Sequence, residues 1–176
     1  GGAALTFVDW TDPNSHTNYT LSGGSIVTNV HRSLQWCQLS RTNASASLSA
    51  SVTNLLTWSV IDTNTSSSYF WADEAAGYIT NKVAGVYRIA AAARVSANAN
   101  MEMDLLLMTN GVYWQHLGGG FIFSSSTGAV LAVKEVYLPA NTAVGIADRH
   151  HAGAAIIQPT GVVDTNSCRF SLMALP

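Results

Sequence analysis

The run that most constrains this chain is Val83-Ala84-Gly85-Val86-Tyr87-Arg88-Ile89, continuing through small and apolar residues to Val95. A turn glycine opens it. The two-residue alternation of an extended strand places Tyr87, Ile89, Ala91, Ala93 and Val95 on one face. Val86, Ala90 and Ala92 fall on the other face, interrupted by Arg88 and Arg94. Antiparallel strands usually carry one apolar face and one wet face. A strand that is apolar on both sides needs two covers, its own core and something else. The alanines at 90–93 favour helix by propensity, but the glycine start and the β-branched residues at intervals of two assign strand.

Composition narrows the class. The chain has 176 residues, enough for one domain with a sizeable core. Charged residues make up 10% of it, against about 25% in an ordinary soluble protein, and Ser, Thr, Asn and Ala fill the difference. A net charge of −2 gives no electrostatic basis for binding nucleic acid or an anionic membrane. No run approaches the roughly 18 apolar residues of a membrane helix, so membrane insertion is not expected. Cys37 and Cys168 form no CxxC pair, which argues against zinc and favours two buried thiols over a disulfide.

Short alternating runs dominate, separated by Gly, Asn, Ser and Pro turns. The clearest cover residues 55–61, 85–95, 101–108, 112–117, 129–138, 142–148 and 168–175. Asn110-Gly111 is the favoured pair for a type I′ hairpin turn. Residues 1–45 read as a separate amino-terminal attachment or extension segment with strands near 25–30 and 33–39. Residues 46–176 read as one antiparallel sandwich. Residues 41–51 read as a connector.

The order of motifs then resembles a known family. Trp58-Ser59-Val60-Ile61-Asp62 precedes Tyr69-Phe70-Trp71, followed by Gly77-Tyr78-Ile79 and the Gly85-Val86-Tyr87 strand. Leu107-Met108-Thr109-Asn110-Gly111, Leu138-Pro139-Ala140-Asn141-Thr142-Ala143-Val144 and a terminal Phe170-Ser171-Leu172 strand complete the series. Over about residues 50–175 this is similar to the globular heads of complement component 1q and their tumour necrosis factor-like relatives. The resemblance implies an all-β, antiparallel jelly-roll sandwich of about ten strands, assembled as a homotrimer whose central strands meet on the threefold axis. The chain departs from the vertebrate heads in lacking a collagen-like Gly-X-Y stretch. Such heads also occur in bacteriophage fibres and head decorations, and the low charge suits that setting.

The second cover is therefore expected to be neighbouring subunits, with Tyr87, Ile89, Ala91, Leu105, Leu107 and Tyr137 as interface candidates. Phe7, Trp10 and Ile26 are the candidates for attaching the head to a capsid or fibre protein. Trp71, Trp114 and Tyr113, with Tyr69, are aromatic faces that could stack on a glycan or receptor, set against the alternative that they fill the core. Asp73-Glu74 offers two carboxylates for calcium; an exposed loop is the simpler reading, and no other cofactor or metal is expected. His150-His151 beside Asp148 and Arg149 is the densest ionisable cluster, read as a solvated loop because adjacent strand residues point to opposite faces. No serine sits in a G-x-S-x-G elbow, so an enzyme is not expected. The expected role is a non-enzymatic trimeric virion protein, a decoration, head fibre or tail-fibre tip. The alternative is a secreted recognition head that binds a receptor or glycan.

Overall fold

A computed structural model of the chain describes residues 5–9, 15–22, 25–32, 34–42, 46–123, 127–151, 155–157 and 168–175. Three amino-terminal strands, β1 (Leu5–Asp9), β2 (Ser15–Ser22) and β3 (Ser25–Arg32), pair antiparallel among themselves. There follow β4 (Trp36–Ser40), β5 (Ala46–Leu48), β6 (Asn54–Leu55), β7 (Val60–Asn64), β8 (Phe70–Asp73) and β9 (Tyr78–Asn81). The long strands come next: β10 (Gly85–Ala97), β11 (Met101–Thr109), β12 (Val112–Ile122), β13 (Thr127–Leu138) and β14 (Thr142–His150). Short β15 (Ala155–Ile157) and terminal β16 (Arg169–Ala174) complete the set.

From β4 onward the strands form two antiparallel sheets. One runs β5-β15-β10-β16-β4-β7, with β13 on the free side of β10; the other runs β12-β11-β14-β9-β8, with β6 on β14. This is the expected all-β jelly roll. The alanine-rich β10 is a strand, paired over Gly85–Ser96 with β13 and over Tyr87–Ala92 with β16. The boundary expected at residue 45 shifts. Trp36–Ser40 lies within the sandwich sheet between β16 and β7, because its alternating buried side chains Cys37 and Leu39 complete the core there. Residues 55–61, expected as one strand, split into the end of β6 and the start of β7.

The core lies between the sheets. Tyr87, Ile89, Ala91, Val95, Met103, Leu105, Leu107, Val144, Ile146, Phe170 and Leu172 are buried there. Phe70 meets the Tyr87 ring edge-on at 6.1 Å. Asn81 fixes one end: its amide donates to Val83 O and Pro139 O at 2.8 Å each, and its Oδ1 accepts Thr142 N at 3.0 Å. Each of these bonds removes a polar group that would otherwise be buried unpaired. Asn110 and Gly111 both have positive φ, 51° and 79°, as a type I′ turn requires. Both cysteines are buried thiols not joined in a disulfide, and burial pushes each up to about 11.

At one edge the two sheets come together through glycines. A Cβ on Gly118 of β12 would sit 2.7 Å from the Cβ of Ala132 on β13. Only a bare α-carbon allows that approach. Gly118→Ala is expected to destabilise the fold by about 1–3 kcal/mol through overpacking. Ala132→Gly in the same chain should recover part of the loss. Equal denaturation midpoints for wild type and Gly118→Ala would contradict the close packing.

Candidate functional site

Among the described residues, the outer face of the β10–β13 ladder stands out for its exposed apolar side chains. Register pairs Val86 with Tyr137, Arg88 with Glu135, Ala90 with Val133 and Ala92 with Leu131. On β13 the side chains of Leu131, Val133 and Tyr137 are 68%, 64% and 62% exposed, and Val86 beside them is 44% exposed. Contiguous exposed apolar residues on a regular sheet mark an interaction surface. In their midst, Arg88 Nε and Nη2 donate to Glu135 Oε1 at 3.0 and 2.6 Å.

The interface residues expected from sequence are therefore corrected by face. Tyr87, Ile89, Ala91, Leu105 and Leu107 are buried between the two sheets and have no surface left for a neighbour. Tyr137 alone of the six is exposed. The physical reason is that β10 presents its larger side chains inward, while the large outward groups come from β13. The same two-face test applied to residues 129–138 would have found Leu131, Val133 and Tyr137.

A second surface lies on β12, an edge strand. Its ladder with β11 slips twice: Met108 pairs with Tyr113 but Leu107 with Gln115, and Leu106 pairs with His116 but Leu105 with Gly118. Trp114 and Leu117 are the extra residues of two bulges. A bulge re-aims side chains. Here Val112, Tyr113 and Trp114 are all exposed in succession, beside the Asn110-Gly111 turn, while Leu117 turns into the core. At the far end of β12, Phe121 and, just past the strand, Phe123 are exposed and in edge-to-face contact at 5.1 Å. Trp71 is also exposed, at the opposite edge on β8. Trp71, Trp114 and Tyr113 thus do not fill the core; Trp58, Phe70, Tyr87 and Phe170 do. The signal in sequence was the loss of period-two alternation across residues 112–122.

The remaining candidates resolve simply. Phe7 lies on β1 and Ile26 on β3, opposite Leu21; Trp10 lies outside the described residues. The Asp73 carboxylate accepts Ala76 N at 2.9 Å and so closes its own turn. Among the described residues no group of three or more His, Cys, Asp and Glu could hold a metal ion. On the surface His116 Nε2 meets Asp104 Oδ1 at 3.0 Å, and Lys134 Nζ donates to His116 O.

His150 is a correction. It is not in a solvated loop: it ends β14 facing the core, with Nδ1 2.8 Å from Asp148 Oδ2 and both side chains fully buried. His151 is exposed, so the two histidines share no site. Asn54 Nδ2 also donates to Asp148 Oδ2 at 3.0 Å. The pair has no access to solvent and so none to a substrate. Burial pushes the Asp148 carboxyl above the usual carboxylate range; the His150 contact and the Asn54 amide pull it back, and Asp104 adds to the upward push. A raised value in the fold means that Asp148 stabilises it in acid, below the ordinary carboxylate value of about 3.9. That contribution is lost as pH rises through the raised value. Asp148→Asn keeps an acceptor but has no charge to bury. Its melting temperature should exceed wild type near neutral pH, with the gap closing in acid. A gap that is independent of pH, or a less stable variant at neutral pH, would contradict this.

No protein-family model and no curated protein matches the sequence. Solved structures do. The crystal structure of murine APRIL at pH 8.5 aligns with 81% of this chain and 99% of its own, at 10% identity and a TM-score of 0.57. The structure of Eiger TNF from S. frugiperda aligns with 81% of this chain and 93% of its own, at 12% identity and a TM-score of 0.56. The tumour necrosis factor side of the expected resemblance is the one these structures support. At such identities the likeness is one of fold, a tumour necrosis factor-like jelly roll.

Proposed function

We propose that this chain is a non-enzymatic recognition head that works as a homotrimer. Its assembly surface is the outer face of β10 and β13, and its contact surface is the aromatic edge of β12. The observation that carries the reading is the exposed row Leu131, Val133 and Tyr137, which a lone protomer would leave in water. Covering apolar area stabilises association by about 25 cal/mol per Å² before the costs of ordering. Three protomers then present Tyr113 and Trp114 three times, and linked weak contacts gain avidity. Rings made prominent by a bulge suit stacking on a receptor side chain or a sugar face.

The fold shared with APRIL and Eiger TNF supports a secreted, receptor-binding or glycan-binding head ahead of a virion component. A tethering role for the amino-terminal sheet keeps one observation in its favour: among the described residues β1, β2 and β3 share no ladder with the sandwich.

Sedimentation of the wild type at about 10 μM should give a trimer, since such assemblies dissociate only on dilution. Val133→Lys should give a folded monomer, with the far-ultraviolet spectrum of the wild type. Trp114→Ala should leave the trimer intact and weaken capture of receptor-bearing cells or glycan surfaces. A wild type that is monomeric at that concentration, or a Val133→Lys variant that remains trimeric, would contradict the assembly surface.

A further inference from the structure

An ion pair stands in the centre of the apolar face, where it costs the assembly most. Arg88 and Glu135 are register partners on β10 and β13. Val86 and Tyr137 flank them on one side, Ala90 and Val133 on the other. Both side chains are about half exposed, 49% and 50%, and both hydrogen bonds end on the same carboxylate oxygen, Oε1. Glu135 Oε2 and Arg88 Nη1 have no partner among the described residues. The face therefore offers an unused carboxylate oxygen and unused guanidinium N–H groups side by side, ringed by apolar groups.

We propose that this pair is the register key of self-association. The unused Nη1 of each copy meets the unused Oε2 of the next, so that copies around an axis close a ring of alternating charge. This rests on the assembly reading above and goes beyond it by naming the occupant and what selects it. The occupant is a second copy because the exposed donor and acceptor are complementary to themselves. A different partner would have to supply its own matched cation and anion at the spacing of this one ladder row. Desolvating an ion pair adds little net stability compared with an apolar pair, yet a half-paired charge in an interface is costly. The pair thus penalises slipped and foreign contacts more than it strengthens the right one, which is how polar groups specify register.

Four chains and one mixing experiment test the inference by sedimentation and native mass spectrometry. Arg88→Ala leaves Glu135 unpaired and should weaken assembly about thirtyfold or more. The swap Arg88→Glu with Glu135→Arg restores a ring of opposite sense and should assemble nearly as the wild type does. The apolar pair Arg88→Met with Glu135→Leu should assemble at least as tightly, with added higher-order or heterogeneous species. Wild type and swap, co-refolded with tags of different mass, should sort into separate oligomers, since a mixed neighbour sets like charges together. Random mixing, or a wild-type-like Arg88→Ala oligomer, would overturn the register key while leaving the assembly face standing. A monomeric wild type would overturn both. Circular dichroism on each variant separates lost assembly from lost fold.

Discussion

The ladder between β10 and β13 is the interaction on which the rest depends. It extends from Gly85–Leu138 to Ser96–Thr127 in unbroken antiparallel register. On its inner side Tyr87, Ile89, Ala91 and Val95 of β10 meet Val136, Leu138 and Val130 of β13 in the main core. On its outer side the same two strands carry a row of exposed apolar side chains around a single ion pair. One ladder thus organises the core and carries the face proposed above for assembly. Burying one face of a sheet fixes its register, because a slip by one residue would exchange the two faces.

Glycine and bulge geometry turn this sandwich into something with an edge to use. Gly118 brings β12 against Ala132, and a Cβ on Gly128 of β13 would come within 2.6 Å of Ile122. The close approach joins the two sheets along β12 and β13. Because β12 must both meet β13 and pair with β11, its ladder slips at Trp114 and at Leu117. The slip sends Leu117 inward and leaves Tyr113 and Trp114 in solvent. Close packing at one end of the strand and exposed aromatics at the other thus lie on either side of the bulged stretch.

Much of this was legible in sequence, and the rest was hidden for physical reasons. Alternation and turn residues located β10, β11, β13 and β14 nearly to their ends, and Asn110-Gly111 specified its turn. The excess of apolar surface on β10 was legible, but its Tyr87, Ile89 and Ala91 face is the one buried between the sheets. Alternation says that two faces differ without saying which one the partner sheet covers, and that choice is made by tertiary packing. Asp148 and His150 looked like surface chemistry because ionisable residues are rarely buried. Their two-residue spacing on one strand, with Asn54 as a third partner 94 residues away, is what makes burial tolerable. Trp36–Ser40 was assigned to the wrong part of the chain because its partner, β16, lies at the far end of the sequence.

Assembly as proposed covers the outer face of the β10–β13 ladder and leaves the β12 aromatics in solvent. Hydroxyl-radical footprinting across a dilution series tests it most directly. At high concentration Leu131 and Tyr137 should be protected while Tyr113 and Trp114 are labelled, and dilution should open the first pair without changing the second. Equal labelling of all four residues at every concentration would contradict the account.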